Sequence, residues 1–236
     1  MKKIIIGVLL VVALIALILI GGTEDSNGMK SKFMTFIFDN NGEATVYSEE
    51  GTDLIAVEDV KSVEIIPLEK ITINDIDISL GMDKAEVTKL LGKGDASGDS
   101  VRYFESELGI YYDSNNKVEF IEFYGGIDGN IKPVIYGVSA FETKARDLVE
   151  IIEKHNSGNN YFDADIVDFD SDYDSEFYNI SVGLYRDITP DAVASMKEEM
   201  IAEGVFDEND EDYLNDVERS NYWATIGIGV EGYYNE

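Results

Sequence analysis

The longest hydrophobic run of the chain lies at its beginning. Lys2 and Lys3 are followed by apolar residues and one glycine without interruption from Ile4 to Ile20. As a helix this run would span roughly 26 Å, close to the ~30 Å hydrocarbon core of a bilayer. It is longer than the apolar core of a cleaved secretory signal, and it lacks a small-x-small exit. The pattern therefore predicts that residues 1–22 form a transmembrane anchor, with a cleaved signal segment as the alternative.

The charges on either side of this run predict its orientation. Two lysines precede it, whereas Glu24 and Asp25 follow it. By the positive-inside rule the amino terminus stays in the cytoplasm and the remainder is exported. Residues 23–32 are small and polar, which is typical of a flexible tether. We expect a single-pass protein of the cell membrane with an extracytoplasmic C-terminal part, or a secreted protein if cleavage occurs near Gly22.

Beyond the tether, apolar and polar residues alternate in short segments. The pattern predicts strands at Phe33–Phe38 and Ala44–Ser48, with Asn-Gly turn chemistry between them. Similar segments continue up to Pro67. Residues 33–70 are therefore predicted to form a small β-meander.

A weak internal repeat begins in the following region. Residues 78–86 and 134–142 each contain an apolar stretch, a glycine and a capping-box spacing. Asp83 with Glu86, and Ser139 with Glu142, predict helices that begin at 83 and 139. The first should end at Gly92, and the second over 155–158.

After each predicted helix the hydrophobic period changes to two, which indicates strands at 101–105, 108–113, 117–123, 164–169, 178–185 and 222–230. A further helix is predicted between the last two strands, because Thr189 can cap it, Pro190 suits its first position and Gly204 can end it. The fold class is predicted as α+β, with two helix-on-antiparallel-sheet units at 71–130 and 131–236.

The segment Leu80–Lys93 reads Leu-Gly-Met-x-x-x-Glu-Val-x-x-Leu-Leu-Gly-Lys and precedes a predicted hairpin. Over residues 75–125 the chain resembles the SmpA/OmlA outer-membrane lipoproteins and the β-lactamase inhibitor protein fold. The resemblance implies a helix packed on a small antiparallel sheet and a non-catalytic binding or assembly role. It transfers no binding residue, and the chain has no cysteine that could carry the lipid of the lipoproteins.

Composition narrows the classes of ligand. The chain has 48 acidic and 18 basic residues, a formal net charge of −30. Such a surface repels nucleic-acid phosphates and anionic headgroups, so nucleic-acid binding is excluded. Simple solubility, docking to a basic partner and calcium binding all remain open.

Candidate catalytic residues are few. His155 is the only histidine and lies at a predicted helix end, where a cation favours the helix dipole. With no cysteine and no second histidine, Cys-His pairs and the common His- and Cys-based zinc motifs are excluded. Pairs of carboxylates are uninformative in so acidic a chain. The sequence therefore predicts that the protein is not an enzyme and needs no cofactor, with weak calcium binding as an open possibility.

Two acidic runs, 163–174 and 207–218, are candidates for calcium binding. In the second, oxygen-bearing residues occupy several positions of an EF-hand loop, but Asp212 stands where that loop needs glycine. The alternative is a solvated acidic loop that joins a helix to a strand. The proposed metal ligands are Asp207, Asn209, Glu211 and Glu218.

The C-terminal segment 222–234 is rich in aromatic residues and contains Gly227 and Gly229 on a predicted strand. Glycines at alternate positions leave one strand face open to a close neighbour, either a backbone or a ring. The chain's own helix is the expected neighbour, and a groove that binds a partner is the alternative.

These features together predict a membrane-anchored, extracytoplasmic, non-catalytic binding protein with an unknown protein partner. An acidic immunity- or inhibitor-type protein that binds a basic partner is the alternative. A carboxylate-based cell-wall enzyme is the third hypothesis.

Overall fold

A computed structural model describes residues 33–38, 44–49, 55–156 and 170–235. The chain divides into two compact units, Met1–Asp53 and Leu54–Glu236. In the first, strand β1 (Phe33–Phe38) pairs antiparallel with β2 (Ala44–Glu49). This confirms the two predicted strands. The turn between them, the anchor and the tether lie outside the described residues, and none of the described helices is long and apolar enough to cross a membrane.

The described part of the second unit contains twelve strands and four α-helices. The strands are β3 (Val63–Ile66), β4 (Lys70–Ile73), β5 (Ile76–Ser79), β6 (Asp95–Ser97), β7 (Ser100–Tyr103), β8 (Leu108–Tyr112), β9 (Val118–Phe123), β10 (Val134–Ile135), β11 (Val138–Ser139), β12 (Asp174–Phe177), β13 (Val182–Tyr185) and β14 (Thr225–Gly229). The helices are α1 (Lys84–Leu91), α2 (Ala145–Asn156), α3 (Pro190–Glu203) and α4 (Glu211–Arg219). The predicted α+β class is confirmed.

Five strands form one sheet in the order β11-β10-β3-β4-β5, in which β10 runs parallel to β3. Along its strands buried side chains alternate with more exposed ones, as they do in a sheet with one face on the core. One face buries five branched side chains, Val63, Ile65, Ile71, Ile73 and Ile78. On the other face Asp77 accepts hydrogen bonds from Lys70 Nζ at 2.6 Å and from Thr72 Oγ1 at 2.7 Å. The predicted 33–70 meander is therefore divided, because β3 and β4 belong to this sheet whereas β1 and β2 pair only with each other.

Seven strands form the second sheet, in the order β12-β13-β14-β9-β8-β7-β6. It joins the two predicted α+β units, since β9 of the first pairs with β14 of the second and Ile121 lies opposite Ile228. If each unit closed separately, β9 would be an edge strand with unpaired backbone groups. A single continuous sheet satisfies those groups and replaces the predicted division at residue 130.

Helix α1 begins after Asp83 and ends at Gly92, which has φ of 82°, as predicted. The capping box itself does not form, because the Asp83 side chain makes no hydrogen bond to the helix. Its carboxylate instead lies 2.9 Å from Lys117 Nζ, which the neighbouring hairpin brings to this position.

The helix predicted to begin at Ser139 begins at Ala145 instead. Ser139 Oγ does accept a hydrogen bond from the Glu142 amide, at 3.2 Å, but the turn does not continue into a helix. Tyr136 and Gly137, with φ of 51° and 82°, form a two-residue turn that folds β11 back onto β10. The second copy of the repeat is therefore a β-hairpin, and the spacing of a capping box alone did not reveal it.

In the C-terminal half one predicted strand needs correction, and one strand was missed. The predicted strand 178–185 is extended only in β13, because residues 178–180 form a 3-10 turn. Strand β12 was not predicted, because it lies at the end of an acidic run and its apolar and polar residues hardly alternate. The predicted strand 164–169 lies outside the described residues. The predicted strand 222–230 is confirmed as the shorter β14.

Candidate functional site

The pair of helices α3 and α4 with their connection, here called the acidic hairpin (residues 190–219), carries a dense negative charge. It contains eleven acidic and two basic residues, whereas residues 55–156 contain twenty acidic and eleven basic ones. The net negative charge per residue is thus higher in the acidic hairpin than in residues 55–156.

Residues near its two ends explain where helix α3 begins and ends. Thr189 Oγ1 accepts from the Ala192 amide at 3.1 Å and Pro190 occupies the first turn, as predicted. At the other end of α3, Gly204 has φ of 74° and the Val205 amide donates to Met200 O at 3.0 Å. This is a Schellman arrangement, in which glycine supplies the left-handed residue that ends the helix.

Helix α4 corrects the prediction of an acidic loop over 207–218. Asp210 caps it by accepting a hydrogen bond from the Tyr213 amide at 2.9 Å. Glu211 and Asp212 lie in its first turn, where negative charge is favourable to the helix dipole. Dense charge hid the helical period in the sequence, but the same charges stabilise the helix start.

The acidic hairpin buries few side chains. Helix α3 buries only Val193, and α4 buries none. Where the helices meet, the rings of Phe206 and Tyr213 make an edge-on contact with centroids 5.2 Å apart. Phe206, which follows α3, therefore packs against Tyr213 of α4.

Three large apolar side chains remain exposed at this end of the hairpin. Ile201, Val205 and Leu214, here called the hairpin tip, are 55%, 62% and 48% exposed. Val205 and Leu214 are the chain neighbours of the two contacting rings, so they lie at the same end of the helix pair. Only three other large hydrophobic residues are exposed in the described structure, Leu68, Tyr173 and Tyr185. The apolar exposure is thus concentrated where the acidic charge is also concentrated.

The three acidic residues among the four proposed calcium ligands, Asp207, Glu211 and Glu218, are not grouped as a metal site requires. Asp207 Oδ1 accepts a hydrogen bond from the Asn209 amide at 2.9 Å, in the turn before α4. Glu211 and Glu218 both lie in α4, seven residues and therefore about 10 Å apart along its axis. Across the described ranges no three Asp, Glu or His side chains are grouped as a metal site requires. Residues 211–218 of the second acidic run belong to helix α4 and not to a loop, and most of the first acidic run lies outside the described residues.

Arg219 fixes the base of the acidic hairpin. Its Nη2 lies 2.6 Å from Asp187 Oδ2, and its Nε lies 3.5 Å from Asp128 Oδ2. The same arginine, with Trp223 and the Gly125–Gly126 turn, lines a partly open pocket with about 20 Å³ of space, enough for one water molecule. Arg219 therefore joins the last turn of α4 to two loops of the body.

Replacing Arg219 by methionine should loosen the hairpin. Because the side chain is only partly exposed and binds two carboxylates, we expect a loss of about 1 kcal/mol. Amide hydrogen exchange in α4 should become up to about fivefold faster, whereas exchange in β8 should not change. Arg146→Met, at an exposed arginine of α2, is the control. Unchanged exchange in α4 would show that Arg219 does not hold the hairpin.

The outer face of the seven-stranded sheet carries a row of glycines. Gly183 lies opposite Gly227, and Glu122 separates Gly227 from Gly109. A Cβ on Gly227 would lie 2.2 Å from the Phe120 ring, and one on Gly183 would lie 2.1 Å from Tyr234 Oη. The close approach predicted for the C-terminal strand is confirmed. Its neighbours are the chain's own aromatic rings, not the helix that was expected.

These rings form a continuous cover over the glycine row. Phe120 stacks on Tyr233 with centroids 4.5 Å apart, and Tyr111 Oη lies 2.7 Å from Tyr124 Oη. Both tyrosine hydroxyls also hydrogen-bond to Glu122. Burial, followed by the bond to Glu122, raises the pKa of Tyr124. The polar side chains on this face therefore hydrogen-bond to one another, and the aromatic rings occupy the space above the row of glycines.

Arg102 completes this cover. Its Nη2 donates to Tyr111 Oη at 3.0 Å, and its guanidinium lies 4.3 Å from the centroid of the Tyr124 ring. The side chain lies over Gly109, where a Cβ would approach its Nη1 to 2.7 Å. This network was missed in the sequence because its residues come from three different strands.

His155 lies in the last turn of α2, as predicted. Its ring stacks on Tyr136 with centroids 3.7 Å apart. The single histidine thus has a structural contact with the β10–β11 turn.

No protein-family model matches the chain, and neither curated proteins nor solved structures provide a match. The resemblance carried by Leu80–Lys93 therefore rests on those residues alone.

Proposed function

We propose that this protein is a non-catalytic binding protein of the cell surface, tethered to the membrane by residues 1–22, that captures a protein partner through the hairpin tip. The observation that carries the proposal is the exposure of Ile201, Val205 and Leu214 at one end of a helix pair. Burying apolar surface contributes roughly 25 cal/mol per Å², so a partner that covers these side chains gains affinity from each. Clustered apolar exposure with a polar surround is typical of interaction sites.

A second candidate is an acidic immunity- or inhibitor-type protein that neutralises a basic partner. The concentration of acidic residues in the hairpin supports it, since complementary charge accelerates association and rejects partners of the wrong sign. The two candidates use the same surface and differ in the biological role of the complex.

The test is chemical crosslinking in intact cells with the tagged full-length chain, followed by purification and mass spectrometry. The wild type and a variant with Ile201→Ser, Val205→Ser and Leu214→Ser are compared at equal expression. Leu68→Ser, an exposed leucine in the β3–β4 turn, is the matched control.

We expect one partner to be captured by the wild type and by Leu68→Ser, and to be lost with the triple variant. Capture of that partner by all three proteins would remove the hairpin tip from the binding surface. The mass of the purified chain tests the tether, because an intact N-terminus supports the anchor and loss of about 22 residues supports the cleaved signal.

A further inference from the structure

We infer that the hairpin tip receives a cationic amphipathic helix of the partner, whose apolar stripe covers the tip while its lysines and arginines face the surrounding carboxylates. This inference rests on the proposed function and names the chemistry of the partner.

The backbone of the acidic hairpin is already hydrogen-bonded, so a partner must bind to it through side chains. Within α3 and α4 the amides and carbonyls are bonded along each helix, and the Val205 amide and the Asp210 carboxylate are used at the two ends that meet. A helix pair offers no free strand edge to which an extended peptide could add. Recognition must therefore come from side chains, and an amphipathic helix presents apolar ones in a regular stripe.

Charge determines the sign of the occupant. Exposed glutamates lie close to each tip residue in the chain, and two have the spacing that places neighbours on one helix face. Glu198 is three residues before Ile201, and Glu218 is four residues after Leu214. Glu203 and Glu208 flank Val205 in the chain. A segment with lysine or arginine beside its apolar stripe complements both features of the surface.

The same charge disfavours the other occupants. A second copy of this chain would bring another formal charge of −30, so self-association at the hairpin is opposed by repulsion. Anionic lipid headgroups are repelled in the same way. One local cation, Lys197, lies over the Phe206 ring at 5.3 Å, and the acidic residues outnumber it.

The experiment measures binding of a fluorescent 18-residue peptide of leucine and lysine, with its leucines at helical spacing. The full chain is placed in phosphatidylcholine nanodiscs, and empty nanodiscs measure the binding of the peptide to lipid. A peptide of the same composition with shuffled order removes the apolar stripe but keeps the charge. Fluorescence anisotropy gives the affinity at 50 and 500 mM salt.

Two variants separate the apolar and the charged contributions. The first is the triple serine variant of the tip, and the second neutralises the four nearby glutamates, Glu198→Gln, Glu203→Gln, Glu208→Gln and Glu218→Gln. The matched charge control neutralises four exposed glutamates outside the hairpin, Glu58→Gln, Glu64→Gln, Glu69→Gln and Glu86→Gln. Far-UV circular dichroism confirms that each variant is folded before its affinity is compared.

We expect the wild type to bind the ordered peptide, and each hairpin variant to weaken that binding at least tenfold. The charge control should bind like the wild type, and the neutralised hairpin should lose most of its salt dependence. Equal affinity for the shuffled peptide would overturn the amphipathic helix, because charge alone would then explain binding.

Absence of binding above empty nanodiscs would also overturn the inference. The proposed function would survive that result if crosslinking in cells still depended on the hairpin tip. Tip-dependent association with phosphatidylcholine vesicles, in place of peptide binding, would replace the partner helix with a lipid surface.

Discussion

Trp223→Ala is expected to lower the free energy of unfolding by about 3–5 kcal/mol, the range for removing a buried tryptophan. Trp223 is fully buried, and its indole Nε1 donates to Ala145 O at 3.0 Å. The Ala145 amide in turn donates to Asn221 O at 2.9 Å, so this contact attaches the start of α2 to the segment before β14. Alanine would leave a cavity and remove the indole hydrogen bond to the Ala145 carbonyl.

Urea denaturation followed by far-UV circular dichroism measures this loss, since the variant has no tryptophan left as a fluorescence probe. Trp223→Phe should lose less, because it keeps most of the apolar volume but not the hydrogen bond. Tyr185→Ala, at an aromatic residue that is 44% exposed, is the control and should change stability little. A midpoint for Trp223→Ala equal to that of the wild type would contradict the central role of this side chain.

Arg186→Met is the second change with a large expected effect, a loss of about 3 kcal/mol or more. The side chain is only 1% exposed, and its Nε and Nη1 donate to Asp172 O at 2.8 Å and to Ser220 O at 3.1 Å. Burial lowers the pKa of this guanidinium, and the negative charges of Asp170 and Asp172 oppose that effect. Methionine fills much of the volume but leaves buried carbonyls without donors.

Arg186→Lys keeps the charge but cannot donate to both carbonyls with the same planar geometry, so it should recover only part of the stability. Arg146→Met, on the surface of α2, is the control and should cost less than about 1 kcal/mol. Equal stability of the two methionine variants would show that the buried hydrogen bonds contribute nothing net.

The two changes should also be coupled. The Arg186 guanidinium lies 5.2 Å from the centre of the Trp223 ring, and it also donates to Ser220 O in the same segment between α4 and β14 that contains Trp223. Residues in direct contact depart from additivity, so the double variant should lose less than the sum of the single losses.

Local signals predicted those elements whose stabilising contacts are near in sequence. The cap, proline and glycine of α3, and the end of α1 at Gly92, were predicted because a helix terminus depends on residues within one or two turns. The strands β7, β8 and β9 were predicted because their alternation reports which face is buried. Ser139 shows the limit of such signals, since its capping hydrogen bond forms but β10 recruits the residue into a hairpin.

The features of the candidate site were likewise predictable only in part from the sequence. The acidic excess and the aromatic, glycine-spaced C-terminal strand were visible in the sequence. Their roles were not, since exposure of Ile201, Val205 and Leu214 depends on how little of α3 the body covers. Dense charge in α4 suggested a cation site, whereas an Asp cap and the helix dipole made the same residues a helix.

By itself the sequence determined the α+β class, several element boundaries, the sign of the surface charge and the absence of cysteine chemistry. These depend on composition and on interactions between near neighbours in the chain. Only the tertiary structure decided that β9 pairs with β14, that aromatic rings fill the glycine row, and that the acidic hairpin exposes an apolar tip. Each of these depends on contacts between residues far apart in sequence, or on surface left uncovered, and local pattern carries no information about either.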